Sequence, residues 1–264
     1  MAEQLDYLAA IGRESARFVE CLEGADPAGQ VPSCPGWTAA DLLWHLTEVQ
    51  MFWGIIVRGR LDDPDAAEAE KAARPDDHDA LVALARRTTV ELLDTLGATP
   101  AGTPVWTWAA DHTAGFVLRR QAHEALIHRL DAELTVGHVT PLDPPLAADG
   151  VDEALRIMFS NAPDWGTVTD EGGLGVVAAA DVAMSWPVEL GRFRGTSPNT
   201  GKTYDEGLLL MPSRPDAPAM FAVAGTAADL DRWLWGRGEL SELDVSGDET
   251  ALEMFVATIA AGVQ

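Results

Sequence analysis

Lysine is almost missing from this chain: Lys71 and Lys202 are the only two, and lysine and arginine together number 18 against 42 acidic residues. The formal net charge is −24 at pH 7. A surface of that sign repels phosphate backbones and anionic membranes, which argues against nucleic acid or a lipid surface as partner. Cysteine is scarce too. Cys21 and Cys34 are the whole supply, too few for a disulfide framework and consistent with a reducing cytoplasm. No long apolar run exists; the densest, around Met51–Val57, is far too short to span a bilayer. The first residues, Met1 to Tyr7, are acidic and lack the basic and apolar segments of a signal peptide. Internal repeats and a phosphate-cradling glycine loop are also lacking. What is present is a 264-residue chain with 47% hydrophobic residues, enough for two ordinary domains.

The most informative stretch runs from Arg119 to Asp131, with two histidines, a glutamate and three arginines in helix-favouring company. At about 100° per residue, Glu124 and His128 lie roughly 40° apart on one face, while His123 and His128 diverge by roughly 140°. One metal ion can therefore take Glu124 and His128 but not both histidines. The zinc-protease pattern H-E-x-x-H is missed by one residue. Catalytic zinc usually has three protein ligands, so a third must come from elsewhere.

Along the chain, residues 3–23 read as a helix ended by Gly24. Residues 31–38, Val-Pro-Ser-Cys-Pro-Gly-Trp-Thr, form a rigid turn. Cys34 in it is either a small buried hydrophobe or a reactive thiol near a pocket. Thr38 caps a helix from Ala39 to about Arg58, with Asp41 in the capping-box position. His45, on the apolar face of that helix, is either a hydrogen-bonded core residue or the missing third ligand. Asp41, one turn earlier, either orients the imidazole or simply caps, and capping is the reading we prefer. Residues 60–78 read as a loop and 79–96 as a helix carrying Arg86 and Arg87, solvated unless one faces an anionic substrate. A helix over 114–136 holds the central motif, ended by Gly137. The prolines of 140–145 read as a linker. Four helices then suggest an antiparallel bundle over residues 1–142, whose core suits a metal held by facing helices. Residues 146–264 read as a small α+β domain: a helix over 146–160, strands at 174–180, 186–190 and 220–224, loop over 195–218 with a possible strand at 208–211, and helices from 225 and from 248.

These residues also carry a resemblance. Val31-Pro32-Ser33-Cys34-Pro35-Gly36-Trp37 through Asp41-Leu42 and His45-Leu46, the segment Arg120 to Glu133, and Gly225 to Arg237 with Gly247-Asp248 are similar to the signatures of the mycothiol-dependent maleylpyruvate isomerase family. The resemblance implies a DinB-like four-helix bundle followed by a smaller, sterol-carrier-like α/β domain that closes the cleft. It implies a divalent metal, usually zinc, on His45, Glu124 and His128, and mycothiol or a similar low-molecular-weight thiol as cofactor. The partners would be that thiol and a small electrophilic substrate, and the enzyme an isomerase or thiol S-transferase, monomeric or homodimeric. Arg120 is the candidate catalytic residue: it either neutralises a substrate carboxylate or pairs with Glu124 or Asp131. Residues 192–218 read as longer and more loop-like than the family's second-domain hairpin. Two other readings remain at this stage: a zinc hydrolase using the same three ligands, and a non-catalytic module binding a small ligand or a partner.

Overall fold

The computed structural model describes residues 5–212 and 217–262. The chain divides into two compact units, Met1–Pro141 and Leu142–Gln264.

The first unit is built from α1 (Tyr7–Glu23), α2 (Ala39–Gly59), α3 (Pro64–Glu70), α4 (His78–Ala98) and α5 (Ala114–Val136). Each long helix starts at a side-chain cap: Asp6, Thr38, Asp77 and Thr113 accept from backbone N–H groups of their first turns. Thr38 and Asp41 complete the expected capping box. The first helix begins at Tyr7, later than expected, because Asp6 serves as its cap; residues 3 and 4 lie outside the described residues. The stretch 60–78, expected as loop, contains α3, capped by Asp63 with Pro64 at its first turn.

The four long helices do not alternate in direction. Tyr7, Glu14 and Arg17 of α1 meet His123, Arg129 and Glu133 of α5 in that order, so the two run parallel. Gln50 of α2 contacts Thr89 of α4, and Gly54 lies against Leu92, so that pair is parallel as well. Each parallel pair runs opposite to the other: Gly12 of α1 lies against Leu93 of α4 and Leu8 against Gly97, and α2 packs against α5. The end of α2 and the start of α4 are therefore at opposite ends of the bundle. A 21-residue helix is about 30 Å long, and the segment holding α3 is long because it must cover that distance. A core of Phe18, Leu22, Leu42, Leu43, Leu46 and Leu81 fills one end, with Trp37 and Cys34 of the 31–38 turn packed on it.

The second unit carries α6 (Pro144–Glu153), β1 (Gly166–Ala179), β2 (Met184–Thr196), β3 (Thr203–Leu210), β4 (Phe221–Gly225), α7 (Ala227–Leu234), β5 (Asp244–Gly247) and α8 (Glu249–Ala260). The sheet order is β3-β2-β1-β4-β5, antiparallel except where β1 pairs with β4. The prolines at 144 and 145 do not end structure; they occupy the first turn of α6, behind the Asp143 cap. That helix widens into a π turn over Ala154–Met158. β1 and β2 are much longer than their apolar cores, since the polar half of β1, Gly166–Asp170, pairs with Gly191–Gly195. The register shifts between Asp170 and Leu174, where Gly172 takes a φ of +80°, open to glycine at little cost. Part of the expected loop over 195–218 is thus strand: the possible strand at 208–211 starts earlier, as β3, which pairs with β2 from Thr203 to Leu210; residues 213–216 lie outside the described residues. Among the described residues no helix is long and apolar enough to cross a membrane.

Candidate metal centre

Helix α5 runs through the first unit with most of its length buried, including Arg120, Gln121, His123, His128, Arg129, Asp131 and Glu133. Buried charge is costly unless paired, so each of these groups has to be accounted for.

Glu124 and His128 lie one above the other, with Glu124 Oε1 3.3 Å from His128 Nε2. His45 comes from α2, and its Nε2 is 3.6 Å from the same oxygen. The two imidazoles stand edge to face, centroids 4.8 Å apart at 78°. One ligand atom from each of the three residues lies within 4.8 Å of the others. Donors bound tetrahedrally to zinc at ~2.1 Å sit ~3.4 Å apart; the two imidazole-to-carboxylate spacings match that. The alternative of a plain hydrogen-bonded cluster fits less well, since 3.3 and 3.6 Å are at or beyond the limit of a good N–H···O bond. His123 is buried elsewhere on α5, its ring 6.3 Å from Tyr7, as the helical angle required.

The surrounding charges set the state of this cluster. Arg120 donates to Glu124 Oε2 from Nε at 3.1 Å and from a terminal nitrogen at 2.5 Å. One carboxylate oxygen is thereby engaged by the guanidinium and the other is turned toward the histidines. Burial opposes ionisation of Glu124, but Arg120 and then the two imidazoles outweigh it and hold the carboxyl well below its usual range. Of the roles open to Arg120, the ion pair with Glu124 is formed. His128 Nδ1 is 2.9 Å from Asp131 Oδ2, and Asp131 is fully buried. Burial disfavours the imidazolium, yet the bond to Asp131 and then the neighbouring Glu124 carboxylate raise the His128 pKa to about 9.

The remaining candidates separate. Asp41 is a cap: it accepts from the Thr38 N–H and hydroxyl and from Arg74, and Arg74 first, then Thr38, bring its pKa to about 2. Arg86 makes a two-pronged pair with Glu23 on the surface, and Arg87 is exposed. Cys34 is half-buried on the core with its Sγ 3.7 Å from Asp131 Oδ2. The indole of Trp37 lies 4.8 Å from the His45 ring. Sequence reasoning overlooked Ser33, whose hydroxyl donates to Asp131 Oδ1 at 2.5 Å. Gln121, whose position on the helix puts it close to the Glu124–His128 face, is wholly buried one turn before Glu124, and its amide has no hydrogen-bond partner among the described residues.

Two family models match the chain in order. Residues 8–133 match the mycothiol maleylpyruvate isomerase N-terminal domain, and residues 145–254 match the C-terminal domain of the same enzymes. The chain belongs to the mycothiol-dependent maleylpyruvate isomerase family. Two crystal structures share its fold: a mycothiol-dependent maleylpyruvate isomerase at 17% identity, and a histidine-to-alanine mutant of a mycothiol-dependent maleylpyruvate isomerase at 15%. Each superposes with a TM-score of 0.57 over 92% of this chain and 93% of its own. No curated protein sequence matches the chain. The expected helical bundle followed by a smaller mixed-sheet domain is the fold these family structures share.

Proposed function

We propose that His45, Glu124 and His128 hold one divalent cation, zinc by preference. We further propose that the chain is a thiol-dependent isomerase or S-transferase of the maleylpyruvate isomerase type, acting on a small electrophilic substrate. The reading is carried by the convergence of two imidazole nitrogens and one carboxylate oxygen within 4.8 Å. Imidazole and carboxylate are donors that zinc takes readily, and three protein ligands leave a position for one more. An ion held by these residues would keep a bound thiol as thiolate, the nucleophilic form.

The chain's own residues prepare this site. Arg120 keeps Glu124 ionised and engages its Oε2, leaving Oε1 toward the cation. Trp37 packs beside His45, the two rings 4.8 Å apart between centroids. Family membership supports mycothiol or a similar small thiol as cofactor and maleylpyruvate as the first substrate to try.

The test is consumption of maleylpyruvate, or of a panel of small electrophiles, by zinc-loaded protein with and without mycothiol. Turnover that requires both zinc and thiol is expected. Ester or amide hydrolysis that proceeds equally well without thiol would replace this reading with a zinc hydrolase.

A further inference from the structure

The 31–38 turn and the C-terminal half of α5 meet at one buried carboxylate. Asp131 Oδ1 accepts the Ser33 hydroxyl at 2.5 Å, and Oδ2 lies 2.9 Å from His128 Nδ1 with the Cys34 thiol at 3.7 Å. Asp131 is 0% exposed. Ser33 and Asp131 are 98 residues apart in sequence, so this is a tertiary brace and not a helix-local contact.

We infer that Asp131, braced by Ser33, is a positioning residue for His128: it fixes the imidazole with its proton on Nδ1 and its Nε2 lone pair turned to the cation. This rests on the metal-site reading above. The argument is geometric. An ionised carboxylate can only accept, so a bond between it and Nδ1 requires the proton to lie on Nδ1. Nε2 is then the ring's free donor atom, and it is the nitrogen that faces Glu124 Oε1. A carboxylate behind a metal-bound histidine fixes its tautomer and ring angle and raises its basicity. Ser33 adds a constraint of its own. By donating to Oδ1 it marks that oxygen as acceptor and leaves Oδ2 for the histidine. In an Asp131→Asn variant the amide oxygen would answer Ser33, and the NH2 would face Nδ1. The favoured tautomer would then carry its proton on Nε2, where a cation cannot bind.

Asp131→Asn is close to isosteric, and two readouts separate positioning from mere support. One is the zinc dissociation constant of the intact chain, by competition with a chromophoric chelator. The other is the melting temperature of zinc-free and zinc-loaded protein. The variant is expected to bind zinc about 10- to 100-fold more weakly and to lose most of the melting-temperature increase that zinc gives the wild type. If Asp131 only ties the turn to the helix, the variant will melt lower by the same amount with and without zinc. Its dissociation constant will then stay within about twofold of wild type, and the assignment is overturned. Wild-type protein that binds no zinc at all would overturn the metal-site reading itself, and this inference with it.

Discussion

Two faces of α5 bury charge, and they are closed in different ways. On one, Glu133 accepts from Arg17, from Arg129 and from the Thr140 backbone and hydroxyl, while Arg129 also donates to Glu14. Arg17 also donates to Glu20 and Arg13 to Glu14, so three carboxylates there meet three guanidiniums, and the chain leaving α5 is tied in through Thr140. On the other face, the Glu124 and Asp131 carboxylates meet one guanidinium, Arg120, and two imidazoles whose Nε2 atoms both point at Glu124 Oε1. The first cluster balances with protein groups alone. In the second, two imidazole nitrogens and Glu124 Oε1 converge on one point, which a proton on His128 or a cation between the three donors can occupy. A helix can thus use the same residue types for architecture or for binding, and the difference lies in whether the neighbouring elements close them in ion pairs or bring their donor atoms to one point.

That contrast can be broken from either side. The largest effect on folding is expected from Glu133→Ala, which takes from half-exposed Arg17 and buried Arg129 the carboxylate they share, leaving Arg17 only Glu20 and Arg129 only Glu14 as acidic partners. Opening such a buried network costs about 3–5 kcal/mol. Urea denaturation should show it, while the zinc affinity of the folded protein stays as in wild type; a parallel loss of zinc affinity would mean the two faces are not independent.

A smaller effect sharpens the other side. The folded-state pKa of His128 is raised from 6.5 to about 9. A raised pKa stabilises the fold fully below 6.5, and that contribution fades as pH climbs through about 9. Zinc-free protein should therefore lose stability across this window, and zinc-loaded protein should lose less, because the cation replaces the proton as the source of positive charge. Melting curves at both ends of the window, with zinc and with chelator, check it; identical pH dependence in both states would count against a shared position for proton and cation.

How much of this could be read from the residues differs by feature. Glu124, His128 and the exclusion of His123 follow from helical angles, and α5 ends where Gly137 puts it. The partnership with His45 needed a need for a third donor, and the structure brings it within 3.6 Å of Glu124. Ser33 could not be found that way, since a contact between a turn and a helix 98 residues away leaves no periodic trace. Two helix starts were hidden by one error: Asp63-Pro64 and Asp143-Pro144-Pro145 read as breaks, although a cap followed by proline in the first turn is a start signal. β5, with every residue exposed, offers no apolar pattern at all and forms because β4 presents an edge to it. The parallel course of α1 and α5 was likewise invisible until the pairs Tyr7–His123, Glu14–Arg129 and Arg17–Glu133 could be lined up.

The central claim is that the face of α5 bearing Glu124 and His128, with His45 opposite, is a cation site. It is tested most directly by measuring bound metal in wild-type protein and in His128→Ala after both are stripped with chelator, reloaded with zinc and desalted. The account predicts about one ion per wild-type chain and nearly none in the variant. Equal metal in the two proteins would contradict it.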